Sequence, residues 1–143
     1  MISCVIPVSR PLRINYYSII ACVKTWSKLV DRIVVISGCP DPELEYLLQL
    51  SLPNGKLFFK EAEHCHWDLY GEFSPYIINE LMNEGIIHVE KGWAFCIFGD
   101  YILSKFDGDR VRKHLSKSHS KKWLGFNRFK LQIYGKQAEV GFV

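Results

Sequence analysis

The feature that most limits what this chain can become is an alternation. Short apolar runs, each too brief for a helix, give way three times to amphipathic segments carrying their own start signals. The first run, Met1 to Val8, is rich in Ile and Val and closes on Pro7 and a polar Ser-Arg-Pro, so it reads as a buried strand ending in a loop. From Asn15, a plausible capping residue, Ile19, Val23, Trp26 and Val30 recur at spacings of four, three and four, which predicts a helix over 15–30. "RIVVISG" supplies a second strand at 33–36, stopped by Gly38. Asp41 can accept backbone N–H bonds ahead of Pro42, and Leu44, Leu47 and Leu48 share a face, predicting a helix over 42–51. After the turn signal "PNG", "KLFFK" is a third strand at 56–60. Ser74 as cap, Pro75 first and Ile77, Ile78, Leu81 and Met82 on one face predict a helix over 75–84, with Gly85 as its stop. The fourth run, "GWAFCIFGDYIL", is a buried strand at 94–98 that breaks at Gly99 before a single acid, Asp100.

Parallel strands need long crossovers, so this order predicts an α/β fold with a mostly parallel central sheet flanked by helices. With 143 residues the chain is one domain, 1–143, its C-terminal segment 104–143 being basic. In open sheets of this kind ligands bind beyond the carboxyl ends of the strands. That rule sets Ser9 and Arg10, Ser37 and Cys39, and Asp100 along one edge.

Charge is uneven along the chain. Residues 1–102 carry 8 basic and 12 acidic side chains, whereas 103–143 carry 10 basic and 3 acidic. Within that tail the spacing suggests one short helix from Asp109 to Leu115 in a long loop, then an irregular strand in "WLGFNRFKLQIYG". The five cysteines are scattered singly, which predicts reduced thiols and no disulfide framework. No apolar run approaches the ~20 residues of a membrane span, and Met1 to Pro7 is short and uncharged for a secretory signal, so a cytoplasmic location is expected.

The stretches "ISCVIPVSRP", "VDRIVVISGCPD" and "EGIIHVEKGWAFCIFGDYIL" together resemble the nucleotide-binding half of the family 2, GT-A-fold glycosyltransferases, over roughly residues 1–103. The nearest variety writes its metal motif W-x-x-x-x-Q-A-D-E, which falls on Trp93 to Tyr101 here. The resemblance implies a GT-A/Rossmann-like sheet, truncated before the acceptor half, and hexosyl transfer from a nucleotide-sugar donor to an unidentified acceptor. It implies donor contacts from Pro7, Val8, Ser9 and Arg10 and from Ser37, Gly38 and Asp41. It also implies a divalent metal, Mn²⁺ or Mg²⁺, at Asp100, the second acid of a degenerate D-x-D motif.

Three positions depart from the family pattern. Phe98 stands at the first acid, Ser37 at a base-reading Asp and Tyr101 at a common Glu. No catalytic base is assigned. A single carboxylate needs help from substrate phosphates and water to hold a hard cation, so metal binding is expected to require the nucleotide. The alternative reading is a non-catalytic module that binds a nucleotide or a partner. Asp100 also has a plain structural reading, as a turn carboxylate after Gly99. The cluster His64, Cys65, His66 and Asp68 lacks the second ligand pair of a zinc site, and neither Cys65 nor Cys39 lies in a nucleophile turn. In a third reading the tail contacts nucleic acid through Lys and Arg, with Trp123, Phe126 and Phe129 stacking on bases, but these aromatics are assigned to the core and nucleic acid is not the expected partner. An exposed apolar face near Phe126 to Tyr134 is expected to drive assembly into a homo-oligomer.

Overall fold

A computed structural model describes residues 1–9, 16–63, 75–90, 92–117, 127–133 and 136–142. Its elements are β1 (Ile2–Val8), α1 (Tyr16–Trp26), β2 (Arg32–Ser37), α2 (Pro42–Ser51), β3 (Leu57–Glu61), α3 (Pro75–Ile87), β4 (Trp93–Cys96), α4 (Lys105–Lys117), β5 (Asn127–Ile133) and β6 (Lys136–Phe142). Four strands form an all-parallel sheet in the order β3-β2-β1-β4, with four helices flanking it, which is the expected α/β architecture.

β1 lies inside the sheet, in register with β2 from Ser3↔Arg32 to Val8↔Ser37 and with β4 from Ile2↔Trp93 to Val5↔Cys96. Side chains alternate along a strand, so such a strand must be apolar on both faces. On one face Cys4, Ile6, Val8, Ile33, Val35, Phe95 and Ile97 pack with Ile19, Val23 and Trp26 of α1, Leu44 and Leu48 of α2, and Val111 and Leu115 of α4. On the other, Val5, Val34 and Ile36 meet Ile77 and Leu81 of α3. The helical faces predicted from periodicity are the faces buried.

Several boundaries differ from expectation, each for a physical reason. The first helix closes at Trp26 rather than residue 30. Lys56 donates its ammonium to the Ser27 carbonyl, and a turn follows in which Leu29 N–H and Val30 N–H both bond the Trp26 carbonyl. Leu29 and Val30 stay buried, so the apolar spacing outlasts the helix. Gly85 does not stop α3, which runs on to Ile87. It lies where the helix crosses β1, and a Cβ there would overlap Val5 Cγ1 and stand 3.2 Å from Ile36 Cγ1. The residue is small because the helix must approach the sheet closely.

β4 is a half-exposed edge rather than a buried strand: Phe95 and Ile97 enter the core while Ala94, Cys96 and Phe98 do not. The ladder ends at Cys96, although Ile97 N–H still bonds the Val5 carbonyl at 3.1 Å. The tail helix spans Lys105–Lys117, well beyond Asp109 to Leu115. Its start is set by Ser104, whose hydroxyl donates to Asp107 Oδ2 at 2.6 Å and accepts from Asp107 N–H at 3.0 Å. β5 falls within the expected irregular strand and pairs antiparallel with β6, which periodicity did not predict, from Asn127↔Phe142 to Ile133↔Lys136. The caps assigned to Asn15 and Ser74, Arg10, the cluster from His64 to Asp68, and the side chains of the apolar face from Phe126 to Tyr134 lie outside the described residues, as does the ring of Trp123.

The crowding at Gly85 gives a sharp expectation. At an open helical site Gly→Ala gains about 0.5–1 kcal/mol. Gly85→Ala should instead cost about 1–3 kcal/mol through overpacking against Val5, seen as a lower urea midpoint with an unchanged slope.

Candidate functional site

Strand order reverses between β1 and β4: the chain steps outward from β1 through β2 to β3, then returns to β1's other side. At such reversals the carboxyl ends of the strands leave a crevice for ligands. The rim here runs from the end of β2 (37–41) across the end of β1 (7–9) to the segment after β4 (97–100).

The β1 and β2 ends are locked together by backbone. Gly38 N–H donates to the Val8 carbonyl at 2.7 Å, and a Cβ on Gly38 would lie 3.1 Å from the Ser9 carbonyl and 3.3 Å from Leu81 Cδ1. Pro7 and Val8 are buried in the sheet, and Ser9, half-buried, is the first side chain to emerge. Ser37 is fully buried, and its hydroxyl donates to the Cys39 carbonyl at 2.6 Å, so it shapes the turn rather than presenting itself at the surface. Asp41 accepts from Leu44 N–H at 3.1 Å as the cap of α2 and from the Tyr16 hydroxyl at 2.9 Å. Its Oδ2 is buried and has no hydrogen-bond partner among the described residues. Tyr16 was not anticipated from the sequence; it opens α1 and ties that helix to the cap of the next.

Asp100 is exposed. It is the third residue of a turn closed by Tyr101 N–H on the Phe98 carbonyl at 3.1 Å. Gly99 lets the turn press on α1, since a Cβ there would meet Ile19 Cδ1 and Cγ1 at 3.3 Å. Phe98, expected in the core, is 40% exposed and meets Tyr101 edge-on at 5.4 Å. Strand alternation explains this: Ile97 takes the core position, so its neighbour faces away.

Among the described residues the site therefore offers one exposed carboxylate, a half-buried hydroxyl and the backbone groups of two tight strand ends. Among the described residues no three His, Cys, Asp or Glu side chains gather as a metal group. Asp100 alone is a hard oxygen donor of the kind a Mg²⁺ or Mn²⁺ ion uses when substrate phosphates fill the other positions, so the residues present fit a metal that arrives with a diphosphate. No helix among the described residues is long and apolar enough to cross a membrane. Comparison with protein-family models, with curated proteins and with solved structures finds no match to this chain.

Electrostatics beside the rim are dominated by thiol burial. Burial, and then the Asp100 charge, push the Cys22 thiol up to about 12. Burial also holds Cys4 well above its ordinary value. Below the ordinary thiol value of 9.0, Cys22 is protonated in both folded and unfolded chains. Above it the unfolded chain releases the proton while the folded chain keeps it, so this contribution is complete below pH 9.0 and drains away as pH rises towards about 12. Cys22→Ala should start less stable through its cavity but lose less per pH unit, as denaturant midpoints from about pH 8 to about pH 11 would record.

Proposed function

We propose that the carboxyl rim of β2, β1 and β4 binds a nucleotide-sugar donor, and that the chain acts as the donor half of a glycosyltransferase of the GT-A kind. The observation that carries the reading is the all-parallel order β3-β2-β1-β4, with residues 7–9, 37–41 and the exposed Asp100 on one edge. On this reading the backbone around Ser9 and Gly38 receives the nucleoside, and Asp100 holds a divalent cation against the diphosphate. Bound there, the cation would neutralise the charge that develops on the departing diphosphate. Asp100 itself orients the diphosphate end of the donor, and Ser9 offers a hydroxyl beside it.

One observation favours a second reading, binding without transfer. Phe98 occupies the place of a first acid beside Asp100, and the Ser37 hydroxyl is committed to Cys39, so the site has fewer polar contacts than a transferase of this kind uses.

A thermal-shift panel of nucleoside diphosphates and sugar nucleotides, with and without Mn²⁺, tests the donor site. A ligand at about 100 times its dissociation constant should add about 2.7 kcal/mol of stability. Asp100→Asn should abolish the Mn²⁺-dependent part of that gain while changing unliganded stability by less than about 0.5 kcal/mol, because the acid is exposed on a turn. Release of free sugar or transfer to an added acceptor separates the transferase from the binding module. No shift with any nucleotide would overturn the donor site and favour a module that binds a partner instead.

A further inference from the structure

The segment that carries Asp100 is held from one side, by α1. Three side chains from its last two turns bond the backbone of that segment. The Cys22 thiol donates to the Phe98 carbonyl at 3.6 Å, the Trp26 indole N–H donates to the Tyr101 carbonyl at 2.9 Å, and the Thr25 hydroxyl accepts from Leu103 N–H at 3.1 Å. Ile19, one turn earlier, supports Gly99 from below. The positions 19, 22, 25 and 26 follow the helical repeat, so one stripe of α1 meets residues 98–103.

These bonds are specific rather than incidental. Beyond the last ladder pair at Cys96 the segment 98–103 has no strand partner among the described residues, and its backbone groups must find partners elsewhere. Here the partners bracket the acid, at the residue after Asp100, at two residues before it and at three residues after it. Trp26 is 6% exposed and its ring also meets Phe95 at 5.2 Å, so its N–H points from a rigid base. The turn that follows α1 is braced as well: Arg112 of α4 donates to the Lys28 and Leu29 carbonyls at 2.8 and 3.0 Å.

We propose that Trp26 and Thr25 are positioning residues for Asp100, setting where its carboxylate stands relative to the bound diphosphate. This role rests on the donor-site reading. A carboxylate on a loosely held turn still meets solvent and still repels or attracts charge at long range, but it cannot supply a cation with a ligand at fixed distance. Two quantities are thereby separated. Nucleotide affinity without metal depends on the β1 and β2 ends, and the increment added by metal depends on α1.

The experiment measures UDP and GDP affinity by calorimetry, with and without Mn²⁺, on the parent, Trp26→Phe, Thr25→Val and a Leu48→Ala control. Trp26→Phe keeps an aromatic ring and removes only the N–H; Thr25→Val keeps the shape and removes the hydroxyl. Leu48 lies in the core on α2, outside the α1 stripe that holds the Asp100 turn, and serves to report general destabilisation. Each of the first two variants should reduce the Mn²⁺-dependent gain in affinity by at least about threefold, the effect of one lost hydrogen bond, while affinity without Mn²⁺ changes by less than about twofold. Leu48→Ala should leave the gain intact. Amide hydrogen exchange on the same variants, with no ligand present, should speed up over residues 98–103 and stay unchanged in β1 and β2. A parent that gains affinity from Mn²⁺, with Trp26→Phe and Thr25→Val gaining as much, overturns the positioning role alone. Loss of the gain in Leu48→Ala as well would also overturn it, as would unchanged exchange over 98–103. A parent with no nucleotide affinity at all refutes the donor site itself, and is told apart from these by the parent measurement.

Discussion

The backbone of β1 is hydrogen-bonded along both edges, to β2 through six register pairs and to β4 through four, and this double pairing imposes most of what surrounds it. A strand paired on both sides has no edge left for water, so its residues from Ser3 to Val8 are all buried and each face needs its own cover. α1, α2 and α4 meet that need on one face, and α3 meets it on the other. The demand reaches into single residues. α3 lies so close to Val5 that position 85 has room only for a hydrogen. At the other end of the sheet, Asp31 locks the strand starts: its N–H donates to the Ile2 carbonyl and its carboxylate accepts from Ile2 N–H, both at 2.7 Å.

The same pairing produces the candidate site. Because β2 and β4 flank β1 in parallel, their ends emerge together, and Val8, Gly38 and the turn after Ile97 come to one rim without any of them being near in sequence. The rim is built mostly of main chain. The Ser37 hydroxyl is taken up by the Cys39 carbonyl and Asp41 Oδ1 by the cap of α2 and the Tyr16 hydroxyl, which ties down that part of the edge; among the described residues of the rim, Ser9 and Asp100 are the polar side chains that reach solvent. A rigid backbone edge with one carboxylate suits a ligand that brings its own charge and its own counter-ion. That physical match is the observation on which the proposed donor-site reading stands.

What was legible in the sequence was what depends on neighbours three or four residues away. The buried faces of α1, α2 and α3 followed from spacing, and the Asp41-Pro42 start of α2 followed from capping chemistry. The start of α4 was equally local, since Ser104 and Asp107 form a Ser-x-x-Asp box, and weighing that signal would have extended the predicted helix to its true beginning. Other features were settled by partners far along the chain. Gly85 read as a stop because nothing local reveals Val5, and Phe98 read as core because an edge strand and an interior strand of the same composition look alike. For the candidate site, the topology rule placed Ser9, Ser37 and Asp100 on one edge correctly. Which of them reach solvent was not legible, because that turns on the Cys39 carbonyl for Ser37 and on the helix stripe of α1 for Asp100.

The central proposal is that this rim receives a nucleotide. Backbone amide shift mapping of isotope-labelled protein during titration with UDP-glucose and GDP-mannose in the presence of Mg²⁺ tests it residue by residue. The account predicts that the perturbed amides cluster at Val8, Ser9, Gly38, Cys39, Gly99 and Asp100. Perturbations gathered instead at the opposite end of the strands, around Ile2, Asp31 and Gly92, or a spectrum unmoved by either nucleotide, would contradict it.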